Sequence, residues 1–337
     1  LVDVNQDNQA DVLLTGESFT GPIARLYMNQ GNLSFSENTN IPFEAVKNSS
    51  IAFADVDGDS TKDILITGNT GSENIAKLYL NDGSGSFTEK PGTPFEGVSN
   101  SSVAFADVDG NQTQDVVITG EAASGSIARL YLNDGMGNFT EQTGTPFEGI
   151  SNSSIAVTDA DGNQAIDLLL TGNTGLEFIT KLYLNDGSGS FYEHTEIPFK
   201  EITNGTVTFA DADGDNTQDV LITGQDSLSN KVVKLYLNDG GMFTSNDREV
   251  IEAAASFTLY PNPVVAGEVS LDLSSLTQSP TMVRILDLHG RIVVLQQISE
   301  KTDRQTIRLD ISYLQPGYFI VQVGDGDKIV SRKLVIR

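Results

Sequence analysis

One stretch of nine residues, Asp55-Val56-Asp57-Gly58-Asp59-Ser60-Thr61-Lys62-Asp63, decides the fold of this chain, and it runs directly into the apolar residues 64–66. Oxygen-bearing side chains fall at its positions 1, 3, 5 and 9. Carboxylates crowded into so short a loop repel one another unless a cation lies among them. The β-branched residues that follow favour a strand. The stretch therefore predicts an acidic loop that leads into a β-strand.

The acidic stretch recurs with a period of 52 residues, so that its first aspartate has counterparts at Asp3, Asp55, Asp107, Asp159 and Asp211. A period of about this size is typical of propellers and other repeat arrays. Five repeats are present. The nine-residue stretches, called the Asp loops below, are residues 3–11, 55–63, 107–115, 159–167 and 211–219.

Each repeat contains four short strand patterns, which in the second repeat cover residues 50–54, 63–67, 75–80 and 86–89. The triplet Asn81-Asp82-Gly83 is typical of a tight hairpin turn, which makes the third and fourth strands antiparallel neighbours. Four such strands form a propeller blade. The predicted fold class is therefore all-β, a β-propeller of four-stranded blades. In this meander the first and third loops share one face, so we expect the Asp loop beside the Asn-Asp-Gly turn.

The first repeat lacks most of the strand that precedes the Asp loop in the other repeats, because only Leu1 and Val2 come before Asp3. Either a missing N-terminal segment supplies that strand and further blades, or the chain closes in some other way. We expect the five repeats to be part of a larger propeller. Five repeats alone do not set the number of blades.

An EF-hand or dockerin loop opens in the same way, but it needs an acidic residue at position 12 and a helix after it. Here position 12 is Ile66, inside a predicted strand. The first 240 or so residues instead resemble the FG-GAP and VCBS repeats of integrin-α-like propellers. That resemblance implies one calcium ion held by each loop between the first two strands of a blade, and up to five ions in all.

Carried over position by position, the resemblance implies four calcium ligands in each Asp loop. They are Asp3, Asn5, Asp7 and Asp11; Asp55, Asp57, Asp59 and Asp63; Asp107, Asp109, Asn111 and Asp115; Asp159, Asp161, Asn163 and Asp167; and Asp211, Asp213, Asp215 and Asp219. The family usually has glycine at position 6, where this chain has Asn8, Ser60, Gln112, Gln164 and Asn216. The alternative interpretation is that these are solvated turn aspartates, which are common between strands.

The composition changes near residue 256. Residues 1–256 contain 11 Lys and Arg against 38 Asp and Glu, whereas residues 257–337 contain 9 against 8. Residues 246–256 show no alternating apolar pattern and end in Ala-Ala-Ala-Ser. The predicted organisation is therefore a calcium-binding propeller at 1–245, a linker at 246–256 and a second domain at 257–337.

Alternating apolar residues predict a small immunoglobulin-like β-sandwich for the second domain. Its blocks closely resemble the type A C-terminal sorting domain of the type IX secretion system. These blocks are Tyr260-Pro261-Asn262-Pro263, Asp287-Leu288-His289-Gly290, Leu314-Gln315-Pro316-Gly317-Tyr318 and Lys333-Leu334-Val335-Ile336-Arg337. The resemblance implies a Gram-negative host of the Bacteroidota type and export through the translocon. It also implies removal of residues 257–337 by a sortase-like peptidase, followed by release or by attachment to the outer-membrane surface.

Composition excludes several functional classes. A net charge of −26 would repel nucleic acid and anionic membranes, and no apolar stretch is long enough to span a membrane. The chain has no cysteine, so disulfides and thiol nucleophiles are excluded. Its two histidines, His194 and His289, belong to no recognisable catalytic set, and we predict no enzymatic activity for this chain.

The repeats differ most in the loop between the second and third strands, called the second loop below. These loops are residues 17–22, 69–74, 121–126, 173–178 and 225–230. Variation at one end of a repeated frame is typical of a recognition surface, although unconstrained loops vary too. We predict a secreted or cell-surface binding or adhesion module that takes a glycan or protein ligand on the face opposite the Asp loops. The alternatives are an accessory part of a polysaccharide-degrading enzyme with an upstream catalytic part, and a structural surface component.

Overall fold

The computed structural model describes residues 1–32, 34–238, 243, 257–265, 267–273, 282–287, 291–298, 306–324 and 329–337. It divides into two compact units, Leu1–Arg248 and Glu249–Arg337. The predicted linker, 246–256, lies outside the described residues, so its bounds stay a prediction. Over the described part of the chain, no helix is long and apolar enough to cross a membrane.

The described residues of the first unit form eighteen β-strands. They are β1 (Val12–Ser18), β2 (Gly21–Asn29), β3 (Phe35–Asn38), β4 (Lys47–Ala54), β5 (Asp63–Asn69), β6 (Asn74–Asn81), β7 (Phe87–Glu89), β8 (Ser99–Ala106), β9 (Asp115–Ala122), β10 (Gly125–Asn133), β11 (Phe139–Gln142), β12 (Ser151–Thr158), β13 (Asp167–Asn173), β14 (Phe178–Asn185), β15 (Phe191–His194), β16 (Thr203–Ala210), β17 (Asp219–Gln225) and β18 (Lys231–Tyr236).

These strands form five consecutive antiparallel sheets, which are blades of a β-propeller. Blade 1 is β1-β2-β3, blade 2 is β4-β5-β6-β7, blade 3 is β8-β9-β10-β11, blade 4 is β12-β13-β14-β15 and blade 5 is β16-β17-β18. The first strands of successive blades lie beside one another, from β4 to β8, β12 and β16, and the fourth strands lie farthest from that row. The predicted four-stranded blade is confirmed in blades 2 to 4. Membership of a larger propeller stays a prediction.

The hydrophobic cores of this unit lie between blades. Each blade has a leading face, which packs on the next blade, and a trailing face, which packs on the previous one. Between blades 2 and 3, Leu65 and Leu78 of the leading face meet Ile118, Ile127 and other residues of the trailing face. Equivalent clusters join blades 1 and 2, blades 3 and 4, and blades 4 and 5. Each blade is therefore stabilised by its neighbours, as expected for short sheets that cannot bury both faces alone.

The same aromatic contact recurs in each of these clusters. The phenylalanine of the Pro-Phe connection packs edge-on against the tyrosine of the third strand, with ring centroids 4.9 Å apart for Phe43 and Tyr79 and 5.0 Å apart for Phe95 and Tyr131. Blades 4 and 5 repeat the contact at 5.0 Å. The 52-residue spacing of these side chains therefore reflects packing at each blade boundary.

A bulge near the start of each first strand joins it to the next blade. Asn100 has a positive φ of 48°, and the pairing of β8 with β9 shifts between Ser99 and Ser102. Beyond the bulge, the Ser102 hydroxyl accepts a hydrogen bond from the backbone N–H of Ile155 in the next blade at 3.2 Å. Ser50 and Ser154 accept equivalent bonds at 3.2 Å. The bulge also explains why β4 begins three residues before the predicted strand at 50–54.

Replacing Ser102 with alanine should lower the free energy of unfolding by about 1–2 kcal/mol, because a half-buried N–H of the next blade loses its acceptor. The midpoint of urea unfolding measures the change. Ser72→Ala, in an exposed loop, is the control and should leave the midpoint unchanged. Equal effects from both variants would contradict a bond that joins blades.

In the second unit, the described residues form two antiparallel sheets around a shared core. Its strands are β19 (Thr258–Tyr260), β20 (Glu268–Asp272), β21 (Met282–Leu286), β22 (Ile292–Gln297), β23 (Thr306–Asp310), β24 (Gly317–Gly324) and β25 (Ile329–Ile336). One sheet has the order β19-β20-β23 and the other β22-β21-β24-β25. Leu271 and Leu309 of the first sheet and Ile285 and Val321 of the second belong to the shared core. The immunoglobulin-like topology stays a prediction.

Candidate metal centres in the Asp loops

The last aspartate of each Asp loop is buried and has both oxygens occupied. In the third repeat, Oδ2 of Asp115 accepts the N–H of Val108 at 2.9 Å, and Oδ1 accepts the N–H of Asn133 at 2.8 Å. Asp11, Asp63, Asp167 and Asp219 make the same two bonds at 2.7–3.0 Å. This carboxylate therefore ties its own loop to the Asn-Asp-Gly turn, and the predicted neighbourhood of the two is confirmed.

The asparagine of that turn extends the connection to the previous blade. Nδ2 of Asn133 donates to the carbonyl of Val56, 77 residues earlier, at 2.9 Å and to the carbonyl of Gln114 at 3.1 Å. Asn81 and Asn185 make the same pair of bonds, at 2.7–3.2 Å. The sequence interpretation treated this asparagine only as a turn residue. The available signal was its recurrence, with the 52-residue period over the first four repeats and one residue later at Asn238.

The first aspartate of each loop is held by the loop backbone. Oδ1 of Asp55 accepts the N–H of Gly58 at 2.8 Å, and Oδ2 accepts the N–H of Ser60 at 2.9 Å. Ser60 stands at position 6, where the related family has glycine, and it has the left-handed φ of 69° that glycine would adopt easily. The other position-6 residues have φ between 66° and 72°. All five position-6 residues therefore adopt a left-handed conformation that glycine reaches easily and that other side chains disfavour.

In four of the five loops the structure brings three carboxylates together. Positions 1, 3 and 9 each offer one oxygen, and the three oxygens lie within 4.8 Å of one another. The groups are Asp55, Asp57 and Asp63; Asp107, Asp109 and Asp115; Asp159, Asp161 and Asp167; and Asp211, Asp213 and Asp219. Each of them could hold a metal ion.

Position 5 lies outside these groups. Oδ1 of Asp59 instead accepts bonds from the N–H and the hydroxyl of Thr61 at 2.7 and 2.6 Å. Asp215 bonds Thr217 in the same way, and Asn111 and Asn163 accept the N–H of their position-7 residue. The predicted role of position 5 as a ligand stays a prediction.

The first Asp loop keeps the frame without the carboxylate group. Asp11 retains both backbone bonds and Asp3 accepts the N–H of Asn8 at 2.7 Å. Position 3, however, is the amide of Asn5, and Asp3, Asp7 and Asp11 do not form a three-carboxylate group in the described structure. Of the five predicted sites, this is the one whose described carboxylates do not form a group of three.

Burial raises the pKa of the last aspartate in the second, third and fourth Asp loops. The pKa of Asp63, Asp115 and Asp167 is raised to about 6, chiefly by desolvation and to a smaller extent by the neighbouring aspartates, while the two backbone N–H donors lower it. Three cations of the third strands pair with glutamates. Arg129 bonds Glu96 at 2.6 Å and Glu141 at 3.0 Å, and Lys77 and Lys181 each bridge two glutamates. A bound divalent cation would supply the missing positive charge.

The second loops lie at the opposite ends of the strands. Three of them carry an exposed apolar side chain at or near the tip, namely Phe19, Leu176 and Leu228. In the loops of blades 2 and 3 the exposed tips are polar or small, with Ser72 and Ser124. Loops of neighbouring blades touch, since Nδ2 of Asn74 donates to the carbonyl of Glu121 at 2.8 Å.

Comparison with protein families gives two matches. A model described as FG-GAP-like repeat matches residues 3–66, 62–118 and 159–222, together more than half of the chain. A model described as secretion system C-terminal sorting domain matches residues 258–337. Neither description names a catalytic activity, and no curated protein matches the sequence.

Similar solved structures share little sequence with this chain. A mutant of the Aleuria aurantia lectin, in complex with Fucalpha1-6GlcNAc, is 11% identical with a TM-score of 0.43, and the match covers 97% of this chain and 92% of the lectin. Sucrose-6-phosphate hydrolase from Lactobacillus gasseri is 10% identical with a TM-score of 0.39, and the match covers 97% of this chain and 83% of that enzyme.

The carboxylates have two separate roles: Asp115 holds the backbone through buried hydrogen bonds, whereas Asp109 contributes an oxygen to the three-carboxylate group. Mutation should distinguish these roles. In the presence of a chelator, Asp115→Asn should lower the free energy of unfolding by roughly 2–3 kcal/mol, because an amide NH2 would face a buried backbone donor. Asp109→Asn should change it by less than about 0.5 kcal/mol, since its bonds are exposed and the lost charge relieves repulsion. Urea unfolding measures both. Equal losses would contradict a separate scaffold role for Asp115.

Proposed function

The chain belongs to the FG-GAP-like repeat family and ends in a type IX secretion sorting domain, and from this we propose that it is a secreted, calcium-stabilised propeller that binds a glycan or protein ligand outside the cell. The observation that carries the calcium part is the recurrence of the same three-carboxylate group in four consecutive loops. A single group of this kind would be an ordinary acidic turn. Here four groups occupy the same positions of four repeats, and each includes one buried aspartate.

The chemistry of these groups favours calcium among the common ions. All the grouped side chains are carboxylates, and the chain offers no cysteine and no histidine in the Asp loops. Hard cations prefer such oxygen sites, whereas zinc and copper prefer nitrogen and sulfur ligands. Flexible loop carbonyls suit the variable coordination of calcium better than the strict octahedron of magnesium. The carboxylates at positions 1, 3 and 9 would hold the ion, with the position-5 side chain and the position-7 carbonyl as further oxygen donors.

We propose a structural role for the ions, because each group lies where a loop, a turn and the previous blade are already joined. An ion bound only by the folded state stabilises that state by mass action, by roughly 3 kcal/mol per site when its concentration is 100 times the dissociation constant. It would also offset the desolvation, and the smaller repulsion from neighbouring aspartates, that raise the pKa of Asp63, Asp115 and Asp167.

Calcium should raise the melting temperature of the protein and a chelator should lower it, with binding of about four ions per chain, one for each three-carboxylate group. Differential scanning calorimetry and isothermal titration calorimetry measure the two effects. Magnesium at the same concentration should give a smaller shift, since it dehydrates reluctantly and demands a stricter geometry.

The matched variants test whether the grouped carboxylates carry this effect. Combining Asp57→Asn, Asp109→Asn, Asp161→Asn and Asp213→Asn should abolish the calcium shift and leave the melting temperature in chelator nearly unchanged. The control combines Asp82→Asn, Asp134→Asn and Asp186→Asn, in the Asn-Asp-Gly turns of the same face, and should keep the full shift. A full shift in the first variant, or none in the wild type, would rule out calcium at these groups.

We propose that the ligand is bound on the face formed by the second loops. What supports this is the contrast between the two ends of the blades. The Asp-loop end repeats the same residues for structural reasons, whereas the second loops differ and expose Phe19, Leu176 and Leu228. Large apolar side chains at loop tips are poorly solvated, and they gain most from contact with a partner.

Replacing Phe19, Leu176 and Leu228 together with serine should abolish binding while leaving the melting temperature unchanged, because all three side chains are exposed. Arrays of glycans and of immobilised extracellular proteins are the probes. Met136→Ser removes an exposed apolar side chain from the opposite face and is the control. If both proteins bind the same probes equally, the second loops are not the binding surface.

The C-terminal sorting domain explains how the chain would be exported. The sorting domain indicates secretion to the cell surface or the extracellular space of a Bacteroidota-type bacterium, and it implies contact with the type IX machinery. We propose that a sortase-like peptidase cuts within 246–256, so that the propeller works after the loss of residues 257–337.

A further inference from the structure

Each sheet of the second unit has an outer face, and the residues of its strands alternate between that face and the core. In β24, Val321 and Val323 are at most 1% exposed and belong to the core. Tyr318 and Ile320, on the opposite side of the strand, are 53% and 39% exposed. The outer face of the sheet β22-β21-β24-β25, called the four-stranded outer face below, therefore carries large apolar side chains in water.

The strand register extends this apolar surface over three strands. Ile292 of β22 lies opposite Leu286 of β21, which lies opposite Ile320 of β24. Register partners share one side of a sheet, so these three side chains form a row across the four-stranded outer face. Leu295, which is 59% exposed, lies in the adjacent row opposite Arg284. The exposed apolar residues of this face are therefore contiguous.

The outer face of the sheet β19-β20-β23, called the three-stranded outer face below, has the polar composition that is usual where an antiparallel sheet meets water. Among its described strand residues, Glu268, Asp272 and Asp310 are acidic, and Tyr260 is the only large apolar one. The fold of the unit therefore does not require an apolar outer face. Contiguous exposed apolar residues of this kind mark interaction sites.

The four-stranded outer face also differs in charge. Its described strand residues include Arg284 and Lys333 and no acidic residue. Nζ of Lys333 lies 4.3 Å from the ring centroid of Tyr318, so this cation borders the apolar surface. A partner that fits this face is apolar at the centre of its own surface and acidic at the edge.

We propose that the four-stranded outer face docks on a protein of the type IX export machinery, whose own surface is apolar at the centre and acidic at the edge. The proposal rests on the export proposed above and names the part of residues 257–337 that the machinery contacts. All four strands of this face lie within residues 258–337, which match the secretion system sorting domain. The second loops, where we propose that the ligand binds, contribute no residue to it.

Export of the full chain from a Bacteroidota host with a type IX system tests this, with a signal peptide added for entry into the periplasm. The wild type should reach the medium or the cell surface, and deletion of residues 257–337 should retain the chain in the periplasm. Leu295→Ser combined with Ile320→Ser should lower the exported fraction by about tenfold, because a few anchor side chains dominate an interface. Lys333→Glu should lower it too, since it would face acidic groups of the partner.

Controls separate docking from folding. Val265→Ser combined with Tyr313→Ser removes two exposed apolar side chains of the same unit that lie outside both sheets, and Glu268→Lys changes the charge of the three-stranded outer face. Both controls should be exported as the wild type is. Circular dichroism of the purified chains should show the same strand signal and melting temperature for all variants.

Normal export of the combined Leu295 and Ile320 variant, normal export of Lys333→Glu, or an equal loss in the controls would overturn the proposal. Light scattering of the purified chains identifies the other occupant, because a wild-type dimer that the combined variant loses, with export unchanged, would assign the face to a second copy. Export of the chain that lacks residues 257–337 would instead contradict the export proposal itself, and this one with it.

Discussion

The buried carboxylate that ends each Asp loop is the interaction on which the rest of the repeat unit depends. Taken out of water, Asp115 needs donors for both oxygens, and it finds them in the N–H groups of Val108 and Asn133. The first donor shapes the loop between the first two strands, and the second places the turn after the third strand. Asn133 then bonds the carbonyl of Val56 in the previous blade. One ionisable group thus joins a loop to a turn by direct hydrogen bonds, and through Asn133 it links both to the previous blade.

This frame and the three-carboxylate groups are separable, as the first repeat demonstrates. Asp11 keeps both backbone bonds although Asn5 replaces the aspartate of position 3. The loop can therefore fold without a carboxylate at position 3. An aspartate at position 3 increases the repulsion around a buried charge, which destabilises the loop unless a cation is bound. The recurrence of that aspartate in four repeats therefore supports a bound cation.

Much of this architecture could be predicted from the period of the sequence, because a repeated blade places each residue type at one structural position. The strand count, the antiparallel order and the shared face of the Asp loop and the turn followed from Asp55, Asn81 and the residues between them. The bulge at Asn100 could not be predicted, because its evidence is a left-handed φ and a change of register. Nor could the exclusion of Asp59 from the carboxylate group, which depends on the competing hydroxyl of Thr61.

The same regularity makes the blade boundaries alike. Since all blades share one pattern, each boundary packs the leading face of one blade on the trailing face of the next through the same kinds of side chain. The second loops follow no such constraint, since they contribute little to the blade boundaries. Regular faces therefore favour contact between blades, while the variable loops remain free to differ for recognition.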